Sequence, residues 1–213
     1  MSEILELLEL ISRLLHAEDV LLLCHKNPDG DTIGSAAALQ HALKNLGKNA
    51  AVLCADPIPA RYGYMQLEPY TGQFTPGYVV AVDIAGIQLF GDALQPYVER
   101  VDLCIDHHSS NAGYADAMYL DGGAAATAEI IYELLRAMNA EITPLIADCL
   151  YTGLSTDTGC FLYSNTTAHT HTVAAALMEA GARVEDLNAI LFESKTRERM
   201  AIEKVALDNL EYH

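Results

Sequence analysis

The chain has 213 residues, 51% of them hydrophobic, which is enough for the core of one large domain. Its 12 lysines and arginines stand against 29 aspartates and glutamates, giving a formal net charge of −17 that repels nucleic acid and excludes long-duplex binding by this chain alone. No apolar run reaches the roughly 18 residues of a membrane span, and the acidic N-terminus is unlike a secretory signal, so we expect a cytoplasmic protein without membrane contact.

The predicted elements alternate between helices and short apolar strands. Strands that are apolar on both faces and alternate with helices are typical of a parallel sheet. We therefore predict an α/β fold, a five-stranded parallel sheet flanked by helices and followed by a helical C-terminal stretch. The strands are predicted at residues 20–25, 49–54, 78–84, 101–105 and 117–120. The helices are predicted at residues 2–16, 32–46, 89–97, 127–138, 143–155, 167–180, 184–193 and 196–210.

The first strand runs into a turn that contains three side chains of the metal-ligand type. His25 ends the apolar run, and Asp29 and Asp31 follow it, separated by one glycine. Pro28 and Gly30 favour a tight backbone that lets the two carboxylates converge before the next helix begins. A turn of this kind at the carboxyl end of a buried strand is a candidate site for hard divalent cations.

Further ligand-type side chains follow later elements. Asp83 ends the third strand, Asp106-His107-His108 follows the fourth, and Asp157 lies in a predicted Gly- and Thr-rich turn after a helix. Carboxylates brought together in this way would repel one another, and two divalent cations would balance four of them. Mixed imidazole and carboxylate ligands suit Mn²⁺, with Mg²⁺, Co²⁺ or Fe²⁺ as substitutes. The six candidate metal ligands are His25, Asp29, Asp31, Asp83, His107 and Asp157.

The chemistry that such a site predicts is phosphoryl transfer to water. Two cations about 3.5–4 Å apart can share a hydroxide and hold a phosphoryl group for in-line attack, so no serine or cysteine nucleophile is needed. His108 is then a candidate to bind the phosphoryl oxygens or to protonate the leaving oxygen. Asp106 is a candidate to orient a ligand histidine, and Asn111 is a candidate substrate contact for which a plain loop role is equally expected.

Taken in order, these segments resemble the four motifs of the DHH phosphoesterase superfamily. The likeness covers roughly residues 18–170 and is strongest to the branch of bifunctional oligoribonucleases and pAp phosphatases (NrnA-like), where pAp is 3′-phosphoadenosine 5′-phosphate. Members open with a His-x-Asn-Pro-Asp-Gly-Asp-x-x-Gly-Ser turn, as at residues 25–35, and carry a Thr-Gly-x-x-Thr-Asp-Thr-Gly-x-Phe segment, as at residues 152–161.

The resemblance implies roles for these residues and a division of the chain. His108 lies beside the scissile phosphate. Residues 1–190 form the catalytic domain, and residues 191–213 form a linker helix toward a second, substrate-gripping domain whose Gly-Gly-Gly-His-type motif this sequence lacks. The implied metal sites are His25 with Asp29 for one Mn²⁺ ion, Asp31 with His107 and Asp157 for the other, and Asp83 as the bridge.

We therefore expect hydrolysis of short RNA or DNA oligonucleotides, of pAp, or of both. One alternative is a manganese inorganic pyrophosphatase of the same superfamily, although that branch usually has threonine in place of Gly30. Another is a sensor domain that binds metal and nucleotide without turnover. The oligomeric state stays open, with a homodimer as one option.

Several other polar residues have simpler interpretations. Thr127 is predicted to cap a helix, with Glu129 in its first turn, and contact of this helix N-terminus with a phosphate is the alternative. Lys195, Arg197 and Arg199 are predicted to form the solvated start of the last helix, with contact to substrate or to a partner as the alternative.

Overall fold

The computed structural model describes residues 2–195 and 197–210, and within them one sheet of six parallel strands. Its strand order is β1-β6-β5-β4-β2-β3. The prediction of a parallel α/β sheet flanked by helices is confirmed, with one strand more than expected. The strands are β1 (Glu3–Ile4), β2 (Val20–Cys24), β3 (Ala50–Cys54), β4 (Tyr78–Val82), β5 (Leu103–Asp106) and β6 (Ala117–Leu120).

Helices cover both faces of the sheet. The larger core lies between one face and the helices α1, α2, α4 and α5, and a smaller core around Phe90 and Leu94 covers the other face. The segments Ala60–Met65, Ile87–Leu89 and Gln95–Arg100 are 3₁₀-helical, and Ala189–Glu193 is π-helical. The α-helices are α1 (Leu7–His16), α2 (Gly30–Asn45), α3 (Gly91–Leu94), α4 (Thr127–Ala137), α5 (Pro144–Asp157), α6 (Ala168–Glu179), α7 (Val184–Asn188) and α8 (Arg197–Asp208).

The additional strand comes from the N-terminus, where the prediction of one helix over residues 2–16 is wrong. Glu3–Ile4 pairs with β6, with the Glu3 amide donating to Asp116 O at 2.9 Å and the Leu5 amide donating to Met118 O at 2.8 Å. Two residues show no periodicity, so only the neighbouring strand edge reveals that this segment is extended.

The strand order places the carboxyl ends of β2, β4 and β5 side by side. From β2, the chain passes through α2 to β3 on one side and then crosses to β4 on the other side. Successive connections that leave in opposite directions open a crevice at the carboxyl edge of a parallel sheet, where α/β proteins bind their ligands. Three of the predicted motifs follow these three strands.

The C-terminal helices pack less closely as the chain proceeds. None of the residues of α8 is buried. In the part of the chain that the structure describes, no helix combines the length and the apolar character needed to cross a bilayer. Thr196 and residues 211–213, which belong to the predicted last helix and linker segment, lie outside the described residues.

Candidate metal centre

The turn after β2 presents His25 and Asp29 at the rim of the crevice. One oxygen of Asp29 accepts hydrogen bonds from the amides of Asp31 at 3.0 Å and Thr32 at 3.2 Å, so Asp29 caps α2, which begins two residues earlier than predicted. Nδ1 of His25 lies 2.7 Å from Lys26 O, which makes it the donor nitrogen. Nε2 of His25 therefore offers its lone pair, and it lies 3.7 Å from Asp29 Oδ1.

Asp31 lies deeper, and its carboxylate sits at the N-terminus of α4. Oδ2 accepts from the Thr127 amide at 2.7 Å, and Oδ1 accepts from the Ala128 amide at 2.9 Å and from the Ser35 hydroxyl at 3.1 Å. The positive end of the α4 dipole faces this carboxylate and stabilises it. The contact joins residues that are almost a hundred positions apart in the sequence.

His107 has a buried ring nitrogen that forms no hydrogen bond with the described residues. Its Nδ1 lies 3.2 Å from Ala124 O, while its Nε2 is buried and has no hydrogen-bond partner among the described residues. Nε2 instead lies 3.6 Å from Asp157 Oδ2 and 3.7 Å from Asp83 Oδ1. A buried nitrogen lone pair that faces carboxylates is unfavourable unless a cation lies between them, so these residues fit a metal ion.

Asp83 stands between two groups of candidate ligands. Its Oδ2 lies 3.8 Å from His25 Nε2, and its Oδ1 faces His107 and accepts from the Thr127 hydroxyl at 2.8 Å. Its backbone φ of +60° is one that aspartate tolerates better than most side chains. Within each of three groups of described residues the ligand atoms lie within 4.8 Å of one another: His25, Asp29 and Asp83 in the first, Asp31, His107 and Asp157 in the second, and Asp83, His107 and His108 in a third that overlaps both.

Asp157 is the last residue of α5. The prediction that it lies in a turn after this helix is therefore wrong. Its side chain is 29% exposed and faces His107. The side-chain amide of Asn165 donates to Asp157 O at 3.2 Å and to Ala125 O at 2.9 Å, which ties the end of α5 to the segment before α4.

The crowded carboxylates hold protons more tightly than aspartate normally does. Burial raises the pKa of Asp31 to about 7, and the charge of Asp157 adds to the rise. Burial, followed by repulsion from Asp31, raises the pKa of Asp83 well above its usual value, and burial also raises the pKa of Asp157. Protons and cations therefore compete for the same oxygens.

We expect the metal-free protein to lose stability as the pH rises from about 4 to about 7. The usual pKa of an aspartate is 3.8, so in this interval folded Asp31 keeps a proton that the unfolded chain has released, and unfolding becomes easier as pH rises. Melting temperatures of chelator-treated protein should fall by several degrees across this range, and Mn²⁺ at pH 7.5 should restore stability. The Asp31→Asn variant should show a flatter profile. A metal-free melting temperature that rises with pH would contradict this assignment.

The remaining residues of the Asp106-His107-His108 segment form a separate arrangement. Asp106 is fully buried, and it binds His108 and not the candidate ligand His107, with 2.8 Å between Asp106 Oδ1 and His108 Nδ1. Its Oδ2 accepts from the Asn111 side-chain amide at 2.7 Å. The hydrogen bond to Asp106 raises the pKa of His108. Nδ1 of His108 is therefore the nitrogen used by Asp106, and the His108 side chain is 42% exposed.

The side chain of Asn111 forms hydrogen bonds with other groups of the protein. Its side-chain amide also donates to Ile84 O at 3.2 Å, and its Oδ1 accepts from the Gly113 amide at 2.9 Å. These contacts make Asn111 a support for Asp106 and for the backbone next to Asp83. The prediction that it contacts substrate stays a prediction.

The start of α4 contributes more to the site than the sequence suggested. Thr127 was expected to cap this helix, but Ala126 occupies the cap position, and Thr127 uses its amide on Asp31 and its hydroxyl on Asp83. The run of small residues before α4, Gly122 to Ala126, was the available signal, because small side chains permit close approach of the backbone.

Gly153 lets α5 approach this same corner. A Cβ at this position would lie 2.6 Å from Ala128 Cβ and 2.7 Å from Asp31 Oδ1. Overpacking of this kind costs about 1–3 kcal/mol, so we expect Gly153→Ala to lower the free energy of unfolding by about that amount and to weaken Mn²⁺ binding. Denaturant unfolding and metal titration measure both. Gly63→Ala is the matched control, because its Cβ would meet nothing within 4 Å; equal behaviour of the two variants would contradict the role of Gly153.

The profile of the DHH family, N-terminal domain, matches residues 19–154.

The chain belongs to the DHH family.

The matched residues include the His25–Asp31 turn, Asp83 and the Asp106-His107-His108 segment, and they end just before Asp157. Among curated relatives, the bifunctional oligoribonuclease and PAP phosphatase NrnA of Thermus thermophilus is 33% identical over 85% of this chain and 57% of its own length. NrnA of Bacillus subtilis is 28% identical over 88% of this chain and 61% of its own length. The chain thus spans about three fifths of these DHH-family relatives.

Solved structures share the fold. An exopolyphosphatase-related protein from Bacteroides fragilis superposes with a TM-score of 0.85 at 20% identity, covering 97% of this chain and 66% of its own. A putative family II inorganic pyrophosphatase from Methanococcus jannaschii superposes with a TM-score of 0.63 at 24% identity, covering 81% and 60%. At these identities the likeness concerns the fold alone.

Proposed function

We propose that this DHH-family chain hydrolyses phosphate esters of short oligonucleotides, of nucleoside bisphosphates such as pAp, or of both, with the help of two divalent cations. The observation that supports this best is the pair of ligand groups on either side of Asp83, together with the unbonded, buried Nε2 of His107. A helix cap or a polar turn would account for Asp29 or Asp157 singly, but not for a buried imidazole that faces carboxylates from separate elements.

Each cation has its own set of chain ligands in this proposal. His25 and Asp29 would hold one cation, Asp31, His107 and Asp157 would hold the other, and Asp83 would serve both. Imidazole mixed with carboxylate suits Mn²⁺, with Mg²⁺, Co²⁺ and Fe²⁺ as substitutes. When bound, such a pair would neutralise phosphoryl charge and lower the pKa of water.

In this proposal, His108 is the residue that faces the leaving oxygen. His108 lies beside the candidate ligands, with Nδ1 lying 3.6 Å from Asp83 Oδ1 and bonded to Asp106. Because Asp106 accepts the Nδ1 proton, Nε2 is the atom that would donate a hydrogen bond or a proton to a phosphoryl or leaving oxygen. Asp106 acts here as a positioning residue that fixes the ring of His108 and its tautomer.

The net charge of the chain and its similarity to the curated relatives both support a small substrate. The net charge of −17 opposes binding of long duplexes, whereas a short anion could be held by cations in the crevice. The curated relatives named above carry oligoribonuclease and PAP phosphatase in their names. Since the chain spans only part of their length, their activity is proposed for this chain and tested below.

The packing around Gly30 argues against the pyrophosphatase alternative. That branch usually has threonine at this position, and here a Cβ on Gly30 would lie 2.7 Å from Thr156 Cγ2. A larger residue would have to displace the end of α5, and with it Asp157.

The test is an assay of the purified chain with Mn²⁺ against pAp, a dinucleotide and pyrophosphate in parallel. We expect phosphate or mononucleotide release from the first two. Hydrolysis of pyrophosphate alone would reject the proposal in favour of a pyrophosphatase. No turnover of any substrate, with two metal ions bound per chain, would favour a non-catalytic sensor.

We also propose that residues 1–190 form the catalytic unit and that residues 191–213 are a separate linker segment. The support is that α8 buries none of its residues, whereas Leu191, at the start of the segment, still packs in the larger core. Limited proteolysis between α7 and α8 should therefore leave the metal-binding unit folded.

A further inference from the structure

The side-chain amide of Asn165 joins two backbone segments that border the metal centre. Its nitrogen donates to Asp157 O at 3.2 Å and to Ala125 O at 2.9 Å. Asp157 ends α5, and Ala125 directly precedes the cap residue of α4. Carbonyls in the last turn of a helix have no partner within the helix, so Asp157 O needs a donor from elsewhere. One amide group therefore holds the C-terminus of α5 beside the N-terminus of α4.

All three ligands of the second group depend on these two segments. Asp157 is itself the last residue of α5. Nδ1 of His107 lies 3.2 Å from Ala124 O, the carbonyl next to that of Ala125. The carboxylate of Asp31 accepts from the two amides that begin α4. A shift of one segment relative to the other would thus change the distances among the three ligand atoms.

The turn that carries the first group of ligands is held by other contacts. The Lys26 amide donates to Leu89 O at 2.8 Å, and the Asn27 amide donates to Asp56 Oδ2 at 2.7 Å. These partners lie in the segments that follow β4 and β3. The amide of Asn165 forms neither contact, so its loss should not move this turn.

Two unfavourable features accompany the position of Asn165. Gly159, Cys160 and Phe161 have backbone φ values of +57°, +58° and +64°, and this left-handed turn leads the chain back to the end of α5. Two of the three are not glycine, so the turn is strained. Oδ1 of Asn165 is also buried without a hydrogen-bond partner among the described residues. Strain and an unpaired polar atom of this kind are typical of segments that support a functional site.

We propose that Asn165 is a positioning residue for the second cation. Its amide fixes the distance between Asp157 and the segment that supports Asp31 and His107, while its own hydrogen bonds go to backbone carbonyls only. The inference rests on the two cations of the proposed function. It goes beyond them by assigning control of one cation to a residue outside the ligand set. Loss of the amide should weaken the binding of this cation and leave the other unchanged.

The test is Mn²⁺ binding, measured by the electron paramagnetic resonance of free Mn²⁺ in two backgrounds. His25→Ala leaves the second group of ligands complete, and His107→Ala leaves the first group complete. In the His25→Ala background, we expect Asn165→Leu to weaken Mn²⁺ binding by at least about ten-fold, as loss of a supporting contact does at other metal sites. In the His107→Ala background, the same change should alter the affinity by less than about two-fold.

A second replacement separates the hydrogen bonds from the packing of the side chain. Leucine has nearly the shape of asparagine without its donors, whereas alanine also leaves a cavity. We expect Asn165→Leu and Asn165→Ala to weaken the second cation alike, because both leave the two carbonyls without their donor. Weakening by Asn165→Ala alone would assign the effect to the cavity and overturn the inference.

Thr143→Ala is the control for a general loss of stability. The Thr143 hydroxyl accepts from the Ile146 amide at 3.3 Å and caps the opposite end of α5. Its loss should lower the melting temperature by about 2–4 °C and leave Mn²⁺ affinity unchanged in both backgrounds. Asn209→Leu is the control for residue type, because the Asn209 amide donates to Val205 O on α8 at 2.7 Å. It should also leave Mn²⁺ affinity unchanged.

Thermal unfolding of each metal-free variant shows whether it is folded. If Asn165→Leu does not fold, Asn165→Ser, with one hydroxyl donor in place of two amide donors, provides the same comparison. An unchanged Mn²⁺ affinity of Asn165→Leu in the His25→Ala background would overturn the inference. Equal weakening in both backgrounds, or equal weakening by Thr143→Ala, would overturn it as well, because either would indicate a general effect on the fold.

These outcomes are separate from those of the proposed function. A chain in which Asn165→Leu selectively weakens the second cation, but which hydrolyses neither pAp nor a dinucleotide, would retain this role of Asn165 and fail as a phosphoesterase. A chain that hydrolyses pAp, and in which Asn165→Leu binds both cations as the wild type does, would remain a phosphoesterase without this role of Asn165.

Discussion

For the proposed centre of two cations, replacement of Asp83 by alanine or asparagine should reduce the bound metal to one ion per chain or none. The two oxygens of Asp83 face different candidate ligands, Oδ2 toward His25 and Oδ1 toward His107. Loss of a cation that activates water and neutralises charge should lower kcat by about three orders of magnitude or more. Elemental analysis of the purified variants measures the first effect and steady-state kinetics the second.

Thermal unfolding distinguishes a lost ligand from a damaged fold. Asp83→Asn keeps the shape of the side chain and replaces a buried carboxyl group whose raised pKa already disfavours ionisation, so the metal-free variant should be at least as stable as the metal-free wild type. The variant should lose the stabilisation by Mn²⁺, which is about 2.7 kcal/mol when the free Mn²⁺ concentration is a hundred times the dissociation constant of the site. Asp116→Asn is the control, since Asp116 is exposed and precedes β6 at the opposite edge of the sheet. Unchanged metal content in Asp83→Ala would remove the bridging role.

Replacement of His108 should separate catalysis from metal binding. The ring is bonded to Asp106, and although His108 lies near Asp83 and His107, the proposed function assigns it to neither set of metal ligands. A positioned acid contributes about 10²–10⁴-fold to a rate, so we expect His108→Ala to lower kcat by that factor while the chain keeps both metal ions. The exposed His16 offers the control variant His16→Asn, which should change neither quantity.

Two further measurements define what His108 does. His108→Gln keeps an amide donor near the position of Nε2 but cannot transfer a proton, so it should retain substrate affinity and lose kcat if His108 is an acid. A substrate with a leaving group that needs no proton, such as p-nitrophenyl phosphate, should then be hydrolysed almost as fast by the variant as by the wild type. A variant equally slow on both kinds of substrate would assign His108 to binding of the phosphoryl group.

Much of the architecture follows from local sequence patterns. Apolar runs such as Val20–Cys24 and Tyr78–Val82, separated by helical periods, predicted a parallel sheet, because a strand buried on both faces needs helices to cover it. Polar residues that follow directly after such strands have to lie at one edge of the sheet. The order of His25, Asp83 and His107 along the chain was therefore sufficient to predict that they lie together.

The contacts that determine how the site works are long-range, and only the tertiary structure decides them. Asp31 is fixed by amides of Thr127 and Ala128, and nothing in the sequence near Asp31 records that contact. Asp106 binds His108 and not His107, a choice set by side-chain direction at the end of β5. The strand Glu3–Ile4 forms only because β6 offers a free edge.

The amino-acid sequence by itself determined the α/β class, the sheet edge that carries the site and the identity of the six candidate ligands, because these depend on periodicity and on residue type. The tertiary structure alone decided which oxygen of Asp83 faces which group, what holds Asp31, and which histidine Asp106 binds. The physical reason is that such contacts join residues far apart in the chain, and packing sets their geometry through distances that local propensities do not encode.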